Sequence, residues 1–269
     1  MTYETRHDLQ PDEALMAGRL LILGGTTEAA ALARALVDAG AWQVTTSLAG
    51  RTRAPAALPG AVRIGGFGGA DGLAAYLRAG RIDRVIDATH PFAAAISAHA
   101  AAACAELGMP LLRIERPAWA PVLGDRWIDV ADAAEATGWL AGALPAGSAV
   151  LLTLGRQDVT AFRRCPDLRF VLRSIEPPAP EDLPPDCLLL NERGPFTLDG
   201  ERDLIARHGI RAIVAKNAGG DATAAKLAAA REASIPVVMI RRPAPPAMSA
   251  ATGAVPDVAG ALDWLSRPR

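Results

Sequence analysis

The chain is short of cysteine, lysine and aromatic residues, and each shortage narrows the field. Its three cysteines in 269 residues (Cys104, Cys165 and Cys187) lie far apart with no CxxC spacing. That argues against a disulfide scaffold and a zinc site, and it fits a reducing cytoplasm. No metal is expected. No apolar run is long enough to span a bilayer. The first 17 residues are polar and acidic, without the apolar core of a signal peptide, and a disordered tail is expected over residues 1–18. The formal net charge of −1 lacks the basic excess of a nucleic-acid binder. Of 28 Lys+Arg only Lys216 and Lys226 are lysine, leaving 26 arginines. Coding bias explains that skew, and so does recognition of carboxylates or phosphates by planar forks. Composition does not separate the two.

What is present is a β-α grammar. Residues 19–28 read RLLILGGTTE: an apolar strand, adjacent glycines, two threonines and a glutamate. A helical stripe of Leu32, Leu36 and Val37 follows at once and closes at Gly40. In such a turn the backbone approaches a ligand closely, and the first helical N–H groups favour an anion. Gly24, Gly25, Thr26, Thr27 and Glu28 are therefore a candidate phosphate-binding turn. The G-x-G-x-x-G fingerprint is not met, because Ala29 stands where a third glycine belongs. The bland alternative is a glycine turn of any α/β protein. Glu28 would repel a phosphate; it complements the helix dipole or bonds a ribose hydroxyl.

The next strand, 43–47, ends about 20 residues beyond the glycines, where an NAD enzyme places an acid for the ribose 2′-hydroxyl. No Asp or Glu occurs from residue 41 to 70, whereas Arg51, Arg53 and Arg63 do. Ser47, Arg51 and Thr52 suit a 2′-phosphate, so the sequence prefers NADP to NAD. A solvated loop is the alternative for Arg51 and Arg53.

Further strands are expected at 62–64, 84–88 and 111–114, with helices at 71–79 and 91–107. Two prolines break the period over 115–125, and a linker is placed at 119–125. The pattern resumes with strands at 127–130, 149–154, 169–173, 187–190, 210–215 and 236–240. Helices are expected between them at 131–143, 199–208 and 223–233, and a closing helix at 258–265. The expected class is α/β: two Rossmann-like parallel-sheet domains facing across a cleft. Residues 19–118 would bind NADP and residues 126–269 the substrate.

Ligands of open parallel sheets lie beyond the carboxyl ends of the strands, and the unusual residues collect there. Gly66 and Phe67 follow one strand. Asp87 ends another and leads into Thr89, His90 and Pro91. His90 is expected near a helix N-cap, orienting a cofactor amide or a substrate carboxylate; alternatively it, or Thr89, only caps the helix. Arg156, Arg173, Arg193, Lys216 and Asn217 stand at strand ends of the second half.

Taken in order, LLILGGTTEAAALA, VTTSLAGRT, VRIGGFGG, VIDATHPFAAAISAHAAAAC, LLRIERPAW, TLGRQD, NERGPFT and AKNAGG resemble the precorrin-6A reductase family of aerobic cobalamin biosynthesis. The resemblance covers residues 20–240. It implies hydride transfer from NADPH to precorrin-6A, reducing a ring D double bond to give precorrin-6B. Such a substrate is a tetrapyrrole fringed with carboxylates, for which Arg156, Arg173, Arg193, Lys216 and Asn217 are the expected partners. His90, Asp87 and Lys216 are candidate acids, with solvent an equal contender. No nucleic acid or membrane is expected as a partner, and the enzyme is taken as a monomer. Other readings of the residues are a different NADP-dependent oxidoreductase, a non-catalytic NADP-binding sensor, or a methyltransferase on a related fold.

Overall fold

A computed structural model describes residues 18–50, 57–156, 158–246 and 252–267. The expected tail, Arg51, Thr52 and Arg53 lie outside the described residues, apart from Gly18 at the tail's end. In chain order the elements begin with β1 Arg19–Leu23, α1 Thr27–Ala39, β2 Gln43–Leu48, β3 Ala61–Ile64, α2 Gly69–Ala79, β4 Arg84–Asp87, α3 Ala94–Leu107 and β5 Leu111–Ile114. They continue with β6 Trp127–Val130, α4 Ala133–Ala143, β7 Ala149–Thr153, β8 Arg169–Ser174, β9 Cys187–Asn191, α5 Leu198–His208 and β10 Ile210–Lys216. The last are α6 Ala225–Glu232, β11 Val237–Ile240, β12 Thr252–Val255 and α7 Val258–Ser266. Among the described residues no helix is long and apolar enough to cross a membrane.

The chain forms two compact units. The sheet of the first runs β12-β5-β4-β1-β2-β3, every pair parallel. Counted from the β3 edge this is the doubly wound order 3-2-1-4-5, with β12 in sixth place. Its central strands are covered on both faces, which is why they read as unbroken apolar runs. In β1, Leu20 and Ile22 pack with Leu32 and Leu36 of α1 and with Ala261 and Leu265 of α7. Leu21 and Leu23 point the other way, to Leu73 and Leu77 of α2 and Ala100 and Ala103 of α3. The period-2 alternation of a strand feeds two cores at once.

The second domain does not run to the C-terminus as expected. The chain crosses back after Ala244, and the segment from Pro245 joins the first unit. β12 pairs with β5 in register Thr252↔Leu111 to Val255↔Ile114. Arg84, buried at the start of β4, gathers the end of α7, donating to the carbonyls of Trp264 (3.0 Å), Leu265 (3.3 Å) and Arg267 (2.8 Å). A cation on the last carbonyls of a helix satisfies acceptors that have no intrahelical partner. The sequence hid β12 because TGAV is short and half Gly and Ala, with weak strand preference.

The second unit's sheet runs β6-β11-β10-β7-β8-β9, again all parallel. With β7 counted first, the order is once more 3-2-1-4-5. Here the sixth place is filled by β6, which precedes the others in the chain. The expected linker 119–125 is a fastened part of this unit. The Trp119 amide donates to Asn217 Oδ1 (2.8 Å), and the Asn217 side-chain amide returns a bond to the Trp119 carbonyl (2.9 Å). The Trp119 indole donates to the Gly220 carbonyl (3.0 Å), and Asp125 pairs with Arg231 at 2.7 Å.

Three charged side chains are buried here. Arg173 donates to Glu201 at 2.7 Å and lies 3.7 Å over the Phe196 ring. Lys226 donates to the Thr223 carbonyl (2.6 Å) and stands 4.5 Å over Trp119. Burial, and then repulsion from Arg173, lowers the Lys226 ammonium from 10.5 to about 7, while Glu201 opposes the shift. Above about pH 7 the folded chain therefore releases a proton that the unfolded chain keeps until about pH 10.5. The unfolded state binds more protons across that window, so stability rises with pH there and is flat in this group below it. Replacing Lys226→Met should remove a slope on the order of 1 kcal/mol per pH unit. Urea unfolding of both proteins at pH 6.5, 8 and 9.5 checks it: parallel lines for the two would contradict the assignment.

Candidate active site

In a doubly wound sheet, a ligand groove opens where neighbouring strands send their connections to opposite sides. In the first unit that point lies between β1 and β4. Gly24 donates back to the Ser47 carbonyl of β2 (2.9 Å), while Ala88 donates to the Leu23 carbonyl (2.9 Å). A Cβ on Gly24 would stand 2.9 Å from Thr46 Cγ2, so only glycine fits against β2. Gly25 has φ +111° and nothing within 4 Å of a Cβ position, a backbone facing open space.

Thr26 ties the two connections together. Its Oγ1 accepts the Ala29 amide (3.1 Å), capping α1, and donates to the Ala88 carbonyl across the switch point (2.7 Å). Earlier amides of the first turn have no acceptor within the helix, which suits an anion. Thr27 donates to the Glu28 carboxylate at 3.0 Å.

Asp87, expected as an acid, is instead a buried organiser of its loop. Its Oδ1 accepts both the amide (3.1 Å) and the hydroxyl (2.6 Å) of Thr89, and its Oδ2 faces Arg113 Nε at 3.5 Å. Arg113 lies 3.6 Å from Glu115 as well. Beneath them, burial and then the Asp87 charge push the Cys104 thiol up to about 12, leaving it protonated and inert.

His90 is exposed in the turn before α3 and does not cap it, contrary to the N-cap position expected from a helix starting at Pro91. The helix starts at Ala94 behind Ala93, whose amide donates to the His90 carbonyl at 2.7 Å. The His90 ring accepts the Phe92 amide on Nδ1 (3.2 Å), so a neutral ring carries its proton on Nε2. Pro91 shapes that turn instead of the helix.

At the neighbouring strand ends, Ser47 is buried and stands in register with Arg63 of β3. Arg63 donates from Nη1 to the Gly65 carbonyl (2.5 Å) and to Ser47 Oγ (3.4 Å), and from Nη2 to the Gly66 carbonyl (2.7 Å). It lies 3.8 Å over the Phe67 ring. The first unit thus gathers Gly24–Glu28, Ser47, Gly66, Phe67 and Thr89–Pro91 at one end of its sheet. Arg63 escaped the expected site because Arg51 and Arg53 were nearer the predicted strand end; only the β2–β3 register singles it out.

In the second unit, the switch point between β7 and β10 carries an ion pair of Lys216, ending β10, with Asp158, after β7. Arg156 and Arg193 are exposed on strand-end loops. Two expected substrate residues are already engaged. Arg173 is buried against Glu201 and Phe196, and the Asn217 side chain is spent on Trp119. Nothing in their sequence spacing separated these inward side chains from the outward ones. Asp158 was missed because its partner is 58 residues away.

Comparison with known proteins places this geometry. The family model described as precorrin-6x reductase CbiJ/CobK matches residues 19–266. A precorrin-6A reductase of Rhodococcus erythropolis is 50% identical over 248 residues, covering 92% of this chain and 97% of that protein. One of Rhodobacter capsulatus is 45% identical over 249 residues, covering 92% and 96%. A solved structure of CobK precorrin-6A reductase superposes with a TM-score of 0.83 at 45% identity, covering 93% of this chain and 96% of that one.

The double bond of the Thr26 hydroxyl gives a direct test. Thr26→Val should cost about 1–3 kcal/mol in urea unfolding, from a lost cap and an orphaned carbonyl. Thr26→Ser should lose less than half of that. Equal losses would mean that methyl packing, not the hydroxyl, holds the turn.

Proposed function

We propose, from the premise that the chain belongs to the precorrin-6x reductase family, that it reduces precorrin-6A with NADPH. It is an oxidoreductase of cobalamin biosynthesis, and a reductase of this kind calls for a nicotinamide cofactor. The observation that carries the choice of NADPH is the end of β2. Ser47 stands there beside the cation Arg63, with no Asp or Glu from residue 41 to 70 to bind a ribose 2′-hydroxyl.

The residues fit a dinucleotide. Gly24, Gly25, Thr26, Thr27 and Glu28 form the turn for the pyrophosphate, where Gly25 offers backbone with no Cβ and open space beside it. Ser47, Gly66 and Phe67 take the adenosine end, with Arg51 and Thr52 as further candidates outside the described residues. Thr89, His90 and Pro91 form the wall for the nicotinamide, held from beneath by Asp87. Arg156, Arg193 and Lys216 are the cations of the second unit for substrate carboxylates; Arg173 and Asn217 support that unit from inside.

When bound, the reduced nicotinamide supplies the hydride for the ring D double bond. A proton completes the reduction, so one NADPH and one proton are consumed for each precorrin-6B and NADP formed. His90, whose neutral ring carries its proton on Nε2, and Lys216, mostly buried beside Asp158, are the candidate donors. Solvent does the same for a conjugated macrocycle that spreads charge over its own ring. Positioning then supplies most of the rate, because holding two reactants in attack geometry removes entropy that a single acid does not.

Anaerobic incubation with precorrin-6A, followed by nicotinamide absorbance, should show NADPH oxidised at least about tenfold more efficiently than NADH. Under the same assay His90→Ala should keep kcat within about tenfold of the parent. Loss of turnover with cofactor and substrate affinities intact would instead make His90 the acid.

A further inference from the structure

Arg63 does more than the turn after β3 requires. We propose that Arg63 is the residue that selects a 2′-phosphorylated dinucleotide over its unphosphorylated counterpart. The inference rests on the NADPH reading above and names the side chain responsible for it.

The register sets the place. Ser47 and Arg63 are partners across β2 and β3, at the strand end where a doubly wound fold meets the adenosine ribose. The guanidinium is already fixed in space. Two backbone carbonyls, at 2.5 and 2.7 Å, hold it against Phe67, and Ser47 Oγ lies at 3.4 Å. A fork held this way loses little rotamer freedom on meeting an anion, unlike a solvated arginine on a loop. These contacts occupy two N–H groups of Nη1 and one of Nη2. The Nε–H and the second Nη2–H of a guanidinium then remain as donors.

Charge points the same way. Arg63 has no carboxylate partner among the described residues, and its partners are neutral oxygens and an aromatic face. Two buried arginines face carboxylates instead, Arg113 toward Asp87 and Glu115 and Arg173 toward Glu201, while Arg84 is taken up by the carbonyls at the end of α7. An uncompensated, part-exposed cation beside a buried serine hydroxyl is suited to a phosphate dianion. The same place would reject nothing in a free 2′-hydroxyl, so the preference comes from attraction to the phosphate.

Two fragments of the cofactor separate this role from simple support of the turn. Calorimetric titration of the full chain with 2′,5′-ADP and with 5′-AMP gives an affinity ratio that isolates the 2′-phosphate. The parent should favour 2′,5′-ADP, and Arg63→Gln should reduce that ratio by at least about tenfold while 5′-AMP affinity moves less than about threefold. If Arg63 only anchors Gly65 and Gly66, both ligands weaken together and the ratio is unchanged, which overturns the proposal. A parent ratio near one would overturn the NADPH reading itself, a result distinct from an unchanged ratio in the variant. Should the glutamine variant fail to unfold cooperatively, Arg63→Lys reads the same ratio with charge kept and the fork removed, and a fall of a few fold is then expected. An unaltered ratio in the lysine variant, alongside weaker binding of both fragments, rejects the assignment.

Discussion

One hydroxyl holds the proposed ligand-binding end of the first unit in shape. Thr26 Oγ1 serves as acceptor for the start of α1 and as donor to the connection leaving β4. Those two connections diverge by topology, and a groove between diverging loops keeps its width only if something spans it. Gly24 fixes one bank through its bond to the Ser47 carbonyl, and Asp87 fixes the other by gripping Thr89 twice. The groove is thereby built from backbone and short side chains on rigid strand ends. A site built this way is pre-organised for the dinucleotide proposed for it, and pre-organisation favours hydride transfer between two held rings.

The two units share one strand order but close their sheets differently. In the first, the end of the chain supplies the sixth strand; in the second, the beginning of the segment does. Their switch points then diverge in chemistry. The first carries glycines and a helix N-terminus, chemistry suited to the phosphate proposed for it. The second carries Lys216 with Asp158 and leads into a short 3-10 segment, Val159–Arg164. It has a glycine of its own, Gly155, but a 3-10 segment follows β7 in place of a helix, so the helix N-terminus that would favour a pyrophosphate is missing there among the described residues. A cation with its own counter-ion, near the exposed Arg156, suits a carboxylate-bearing ligand better.

The arginine-rich composition turns out to serve several ends. Arg84 fastens the C-terminal helix, Arg113 steadies Asp87, and Arg173 sits in a buried pair beside Lys226. Burying such groups costs solvation, which their geometry offsets through carbonyls, carboxylates and ring faces. Arg156 and Arg193 stay at the surface. Counting arginines therefore overstated the number available to a substrate.

The sequence by itself determined the α/β class, nearly every strand, the glycine turn and the family, because these rest on local periodicity, on turn chemistry and on runs of residues in order. Strands buried on both faces must be apolar throughout, and helices between them must show a 3.6 period, so both announce themselves in sequence. Tertiary structure alone decided that β12 and α7 return to the first sheet, that residues 119–125 belong to the second unit, and that Arg173, Asn217 and Asp87 face inward. It also decided that Arg63, not named among the site residues, stands beside Ser47. Each of these depends on which strands become neighbours, a matter of contacts between residues tens to hundreds of positions apart. A side chain's local neighbours say what it is able to bind; only its distant ones say whether that capacity is already taken.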